Sequence, residues 1–154
     1  MAEHLYLKLD GIEGSCDKEP HKKWIELTSY NHGISYGVSP GKDFAGQVEH
    51  APLSITKMVD ASTYAIIEKL NRREQIKTIT LELWKDAGNG SGGKVNAAAI
   101  TIKLTNCRVS SHSLGGGDDG NLPMESITFA YQQISWTFPN SKTTDHDFTK
   151  PFGA

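Results

Sequence analysis

Only two cysteines, Cys16 and Cys107, occur in the chain, and one pair is too few for a disulfide scaffold. No stretch approaches the roughly 18 consecutive apolar residues of a membrane helix. Basic charge is not in surplus either. Sixteen Lys and Arg stand against 18 Asp and Glu, a formal net charge of −2, so the footprint of a nucleic-acid binder or a basic membrane-surface protein is missing. Met1-Ala2-Glu3-His4 does not lead from basic residues into an apolar run, so no secretory signal peptide is expected. The expectation is a protein made and folded in the cytoplasm, which leaves only by a route that reads no N-terminal signal. There is no internal repeat, and strands do not alternate with helices as a parallel sheet would require.

What is present is enough for a core. The 154 residues are 37% hydrophobic and 22% charged. That is ordinary for one globular domain, which at this size buries roughly 68–70% of its unfolded surface. A single domain spanning 1–154 is expected. Period-two alternation recurs along it. Leu5, Leu7 and Leu9 alternate with Tyr6 and Lys8. Trp24 to Leu27 starts a second strand that can run on through Tyr30 and, after Gly33, into Ile34 and Tyr36. Val48 to Lys57 reads as a third, with Leu53 and Ile55 facing one way and Pro52 confining its start to an edge or bend. Ile79, Leu81 and Leu83 precede a glycine-rich turn, and Ile100, Ile102 and Leu104 follow it, as a hairpin does. Ser113 to Asn121 reads as a loop. In the last run Ile127, Phe129 and Tyr131 share one parity and Ile134, Trp136 and Phe138 the other. A slip at Gln132-Gln133 is what a β-bulge produces, and it would let one long strand bend between two sheets.

Met58–Arg73 is the one stretch with helical character, and the helix is expected at about 60–73. Asp60 or Ser62 can accept from the orphan amides of its first turn. Ala61, Tyr64, Ile67 and Leu70 recur at helical spacing, as do Ile66 and Leu70. Glu68, Lys69, Asn71, Arg72 and Arg73 make the other face polar. A helix this short is marginal alone, so it must dock on the strands. The fold class is therefore mainly β, either a small barrel or a two-sheet sandwich, with one helix. Residues 37–47 hold three glycines, Pro40 and a single bulky apolar residue, Phe44, in an exposed loop of a length that is usually functional. Phe44 either awaits a partner or folds back on its own core. After Pro139 the tail, 139–154, reads as irregular, anchored by Phe148 and Phe152.

Candidate catalytic and metal motifs do not close. Gly88 to Lys94 has the phosphate-loop glycines, but Val95 stands where a Ser or Thr should hold magnesium and a strand follows instead of a helix. Asp118-Asp119 lacks the further acidic ligands of a calcium loop. The six histidines fall at no zinc spacing. Glu49-His50 has the residue types of an acid–base pair without a nucleophile, and Ser110-Ser111-His112-Ser113 has no nucleophile elbow. No cofactor, metal or catalytic set is expected, and the chain does not read as an enzyme.

Four segments in order resemble one family. Tyr6 to Ser15 followed by His21 and Trp24-Ile25-Glu26-Leu27; Glu49-His50, Leu53, Ile55-Thr56-Lys57, Val59-Asp60 and Ser62; Ile100 to Ser110; and Phe129 with Ile134-Ser135-Trp136-Thr137 are similar to the haemolysin-coregulated protein (Hcp) family of bacterial type VI secretion. The resemblance runs from about Tyr6 to Phe138. It departs at Thr63-Tyr64, where the family often has Ser-Pro, and at Asn71-Arg72-Arg73, where a glycine commonly follows the helix. The resemblance implies a two-sheet antiparallel β-barrel with the helix on its flank. It further implies a subunit that closes into homohexameric rings, stacks them into a hollow tube, and is secreted with type VI tip and sheath components, carrying effector proteins in its lumen. On that basis Pro40, Lys42, Asp43 and Phe44 are expected at ring-to-ring contacts, Asn31 in the lumen, and Arg72 and Arg73 at a subunit interface. Two other readings compete: a monomeric small β-barrel that binds a ligand in its mouth, and an enzyme with a dispersed site.

Overall fold

The computed structural model describes residues 3–17, 21–36, 48–85, 97–118, 120, 122–138 and 143–147. Eleven strands and one helix are described: β1 (Glu3–Leu9), β2 (Ile25–Leu27), β3 (Ser29–Asn31), β4 (Ile34–Tyr36), β5 (Val48–His50), β6 (Leu53–Met58), α1 (Thr63–Arg72), β7 (Ile76–Lys85), β8 (Ala97–Gly115), β9 (Met124–Ala130), β10 (Gln133–Thr137) and β11 (Thr143–Asp147). All strand pairs are antiparallel.

Two sheets share β8. One runs β2-β1-β7-β8 and continues through β10 to β11; the other runs β8-β9-β6-β3. The outermost strands of the main order, β2 and β3, are one run of chain interrupted by Thr28, whose N–H and hydroxyl both donate to the Thr56 carbonyl at 2.8 Å. The strand order thus curls back on itself, and the inward faces meet in one core. Leu7, Leu81 and Ile102 lie side by side across β1, β7 and β8, and Leu9, Ile79, Leu104 and Ile134 form the next row. Leu53, Ile55, Ile127, Phe129 and Val109 close the core from the second sheet. Each such side chain is worth about 1.5–3 kcal/mol on full burial, and together these rows supply what a chain without disulfides needs. Cys16 and Cys107 are both buried and neither is in a disulfide, and burial pushes the Cys107 thiol up to about 12.

The bend falls on a different strand from the one expected. The long strand that serves both sheets is β8, 19 residues, whereas the last run is broken at Tyr131-Gln132 into β9 and β10. Both sides turn the corner together. Asn106 takes a left-handed φ of 54°, the Gln132 N–H donates to the Thr105 carbonyl at 3.1 Å, and the Asn106 amide donates to Gln132 Oε1 at 3.2 Å. A register shift between Val109 and Ser111 adds a bulge. The expected third strand is likewise two, β5 and β6, separated by Ala51 and Pro52, and the expected loop at 113–121 gives its first residues to β8. Thr143–Asp147 form a strand on β10 within the tail expected to be irregular.

The helix is shorter than 60–73 and rolled relative to the expected stripe. Ile66 is fully buried, with Ala65 and Leu70 packed beside it, while Tyr64 is 76% exposed and Ala61 is exposed. Its cap comes from Asp60, whose carboxylate accepts the Ser62 N–H at 2.9 Å, whereas the Ser62 side chain caps nothing.

Candidate assembly surface

The helix is fixed to the second sheet by a buried ionic knot. In β6, Leu53, Ile55 and Lys57 share the inward parity, and in β9 Glu125, Ile127 and Phe129 do. Lys57 and Glu125 are paired across the strands, both essentially without solvent contact. Lys57 Nζ donates to Asp60 Oδ1 at 2.7 Å and Glu125 Oε2 at 3.1 Å. The Thr63 hydroxyl donates to Glu125 Oε2 at 2.5 Å and accepts the Asp60 N–H at 3.0 Å. His112 Nε2 donates to the other Glu125 oxygen at 3.2 Å. A charge removed from water this completely persists only with such partners. The knot sets the roll of the helix, which explains why Ile66 and not Tyr64 points inward.

At the far end of the helix Arg72 lies 2.7 Å from Glu68 and 3.8 Å from Glu74. Glu74 also receives Lys69 at 2.9 Å, and that hydrogen bond holds its carboxyl below the usual range. Arg73 is the left-handed residue that ends the helix, with φ 56°, and its N–H reaches the Leu70 carbonyl at 3.2 Å. It therefore takes the conformation that glycine usually supplies. Its carbonyl accepts the Arg108 guanidinium at 2.6 Å. Both arginine side chains are exposed.

Asn31 is exposed on β3, paired with Ser54. Following the pairings outward from it, the same sheet face carries Ser29 and Asn31, then Ser54 and Thr56, then Ser126 and Thr128, then Ser111 and Ser113. This four-strand face is lined by small hydroxyls and one amide, with Arg108 and Met58 only at its margins. Alternation makes it the necessary outer counterpart of the Leu53, Ile55, Ile127 and Phe129 core face.

Beside Asn31 the chain leaves the body as a two-stranded ribbon, β4 with β5. Tyr36 stands opposite Val48 and Ile34 opposite His50. Ile34 is 53% and Val48 51% exposed, and Tyr36 is exposed as well, so the ribbon presents an apolar face to solvent. Its connecting residues, including Pro40, Lys42, Asp43 and Phe44, lie outside the described residues, as do Gly88 to Lys94, Asp119, Phe148 and Phe152. The ribbon base is tied to the body. His32 Nε2 lies 2.6 Å from the Tyr131 hydroxyl, which donates to the Ala51 carbonyl at 2.9 Å. The Ala51 N–H donates to the Gly33 carbonyl at 2.8 Å.

The polar motifs of the sequence are held apart. Glu49 and His50 are successive strand residues and face opposite sides of the ribbon. Ser110 and Ser111 hydroxyls engage Thr128, while His112 turns in toward Glu125. His21 lies at 2.9 Å from Glu82, stacked on Tyr6 at 4.0 Å between ring centroids. Among the described residues no cluster of three or more His, Cys, Asp or Glu is placed to hold a metal ion. Sequence reasoning overlooked Lys57, Glu125, His32 and Tyr131 as a set. For the first two a signal existed: each is a charged residue in the inward parity of an otherwise apolar strand. His32 and Tyr131, 99 residues apart, carried none.

Comparison with known proteins agrees over most of the chain. Residues 6–138 match the model of the family described as "Type VI secretion system effector, Hcp". The chain is similar to the "Major exported protein" of Pseudomonas aeruginosa, 23% identical over 146 residues that cover 87% of this chain and 80% of that protein. Among solved structures it resembles one titled "Structure of a type six secretion system protein", at a TM-score of 0.79 and 26% identity, covering 93% of this chain and 90% of the other. It also shares the fold of Hcp1 from Salmonella typhimurium, at a TM-score of 0.78 and 21% identity over 96% of both chains.

Proposed function

The chain belongs to the Hcp family of type VI secretion proteins, and from that premise we propose that it is a non-enzymatic subunit of the secretion tube. In this reading six copies close into a ring, rings stack into a hollow tube, and the tube passes out with its tip and sheath components. Export needs no N-terminal signal and carries effector proteins in the lumen. The family match over residues 6–138 carries the proposal. Two surfaces support it. The apolar ribbon face at Ile34, Tyr36 and Val48 is costly to leave in water and suits a protein contact. The hydroxyl-lined face around Asn31 is suited to a wetted lumen wall, because it offers many weak hydrogen bonds and, apart from Arg108 at its margin, no charge that would select one cargo over another.

A ring of identical subunits requires a heterologous interface whose rotation closes, and we assign Arg72 and Arg73 to its neighbourhood. The ribbon and its connection, with Phe44 as anchor and Pro40, Lys42 and Asp43 around it, are assigned to the contact between rings. Electron micrographs of the purified protein test the proposal: uniform rings with an open centre support it, and discrete globular particles oppose it. Phe44→Ala is expected to weaken stacking while leaving the rings and the monomer fold intact; stacking that survives unchanged removes Phe44 from the contact. A crosslinker placed at position 31 is expected to capture cargo inside rings, and capture of outer-surface partners alone would reject the lumen assignment.

A further inference from the structure

The ribbon base contains a titratable element that the tube reading does not use. His32 sits where β3 turns into β4, and His50 ends β5 opposite Ile34. Their rings lie 5.9 Å apart between centroids, and both face Trp136 of β10, at 5.7 and 6.0 Å. Tyr131, in the β9–β10 connection, completes the cluster at 6.0 Å from His32. The tyrosine has one hydroxyl hydrogen, and the Ala51 carbonyl takes it. The hydroxyl oxygen is then the acceptor toward His32, so His32 carries its hydrogen on Nε2. One chain of hydrogen bonds thus runs from the end of β3 through Tyr131 to the residue after β5. It grips both legs of the ribbon at once.

We propose that His32, Tyr131 and the Ala51 carbonyl form an acid-sensitive clamp, which holds the ribbon against the body while His32 is neutral and releases it when His32 takes a second proton. The inference rests on the reading of the ribbon as the ring-stacking element. A proton can enter only at Nδ1, and the imidazolium formed there is half-buried beside a second imidazole. From β5 it meets His50, from the β9–β10 connection the neutral Tyr131, and from β10 the uncharged Trp136, whose ring is tilted 54° and does not lie flat beneath it. Glu49 lies on the other ribbon face. β11 borders β10 through the Trp136–Thr144 and Ile134–His146 backbone pairs. Burial, and next the His50 charge, lower the affinity of His32 for a proton below the usual 6.5. Burial likewise pushes the Tyr131 hydroxyl up to about 12, so Tyr131 keeps its hydrogen throughout. The cation is better solvated with the ring swung into water, and swinging it out breaks the bond to Tyr131. The linkage has one sign: the open ribbon binds more protons than the closed one below about pH 6.5, so acid favours opening.

Amide hydrogen exchange of residues 32–36 and 48–51, corrected for the intrinsic effect of pH, tests the clamp. Between about pH 7.5 and about pH 5.5 the opening constant of the ribbon should rise by up to about tenfold, the linkage limit for one such group. His32→Gln, which keeps an N–H toward Tyr131 and cannot titrate, should abolish the rise. In the unsubstituted protein the His32 imidazole resonances should titrate with the same midpoint as the exchange, so the inference can fail even if the variant does not fold. No rise, an equal rise in His32→Gln, or midpoints about a pH unit apart would overturn it. Light scattering at neutral pH reads ring formation separately, so loss of the ring reading and loss of the clamp are distinguishable.

Discussion

Lys57 and Glu125 occupy positions that their strands otherwise give to leucine, isoleucine and phenylalanine. Lys57 makes no solvent contact, and Asp60, Glu125 and Thr63 surround its ammonium. Removing the cation leaves the buried Glu125 carboxylate, and the partly exposed Asp60 carboxylate beside it, without their counter-ion. Lys57→Ala is therefore expected to cost about 3–5 kcal/mol of stability in urea unfolding, the range for breaking a buried pair. A loss under about 0.5 kcal/mol, the size of an ordinary surface substitution, would mean that the knot is solvated. At this scale the sequence was half legible. Alternation puts Lys57 in the parity of Leu53 and Ile55, and Glu125 in that of Ile127 and Phe129, a signal present in the sequence but not taken up in its reading. Nothing local revealed that they face each other, because the pairing spans 68 residues. Asp60 capping was legible as one of two alternatives, since either short side chain fits and only the approach of Lys57 and Thr63 selects between them.

Elements were legible where one residue pattern decides them. The runs through Leu5-Leu7-Leu9, Ile79-Leu81-Leu83 and Ile100-Ile102-Leu104 are strands because a half-buried sheet needs period two. The helix start, the roll of the helix and the strand at 143–147 were not legible, because each depends on partners far away. The knot turns Ile66 inward, and β11 exists through its pairing with β10. The parity slip near Gln132 did mark a corner, but the uninterrupted strand is its neighbour β8, where Asn106 absorbs the bend. Arg73 permits a test at this scale. Its backbone ends the helix and its guanidinium is the proposed interface group. Arg73→Gly keeps the left-handed cap and deletes the guanidinium. The monomer should be unchanged or more stable by up to about 1 kcal/mol, because glycine relieves the positive φ at some entropic cost. Ring formation should weaken in the same variant. Rings of unaltered stability in light scattering would return that side chain to bulk solvent.

For the whole molecule, the two-sheet fold with one helix followed from strand count, the lone periodic helix and the ordered family motifs. The surfaces assigned to the proposed assembly did not follow from pattern alone. The hydroxyl-lined face around Asn31 is spread over four strands from 29 to 128 and exists only once they are in register. Ile34 and Tyr36 read as the end of one strand and Val48 as the start of the next; that they form a ribbon with one apolar face emerged only from the pairing of Tyr36 with Val48. In the proposed reading both surfaces presuppose the same event, self-association of the chain into a closed ring. The mass of the purified protein by light scattering after size exclusion, at neutral pH, tests it most directly. A uniform species six times the mass of the 16.9 kDa chain is expected, and a clean monomer persisting at high concentration would contradict the ring.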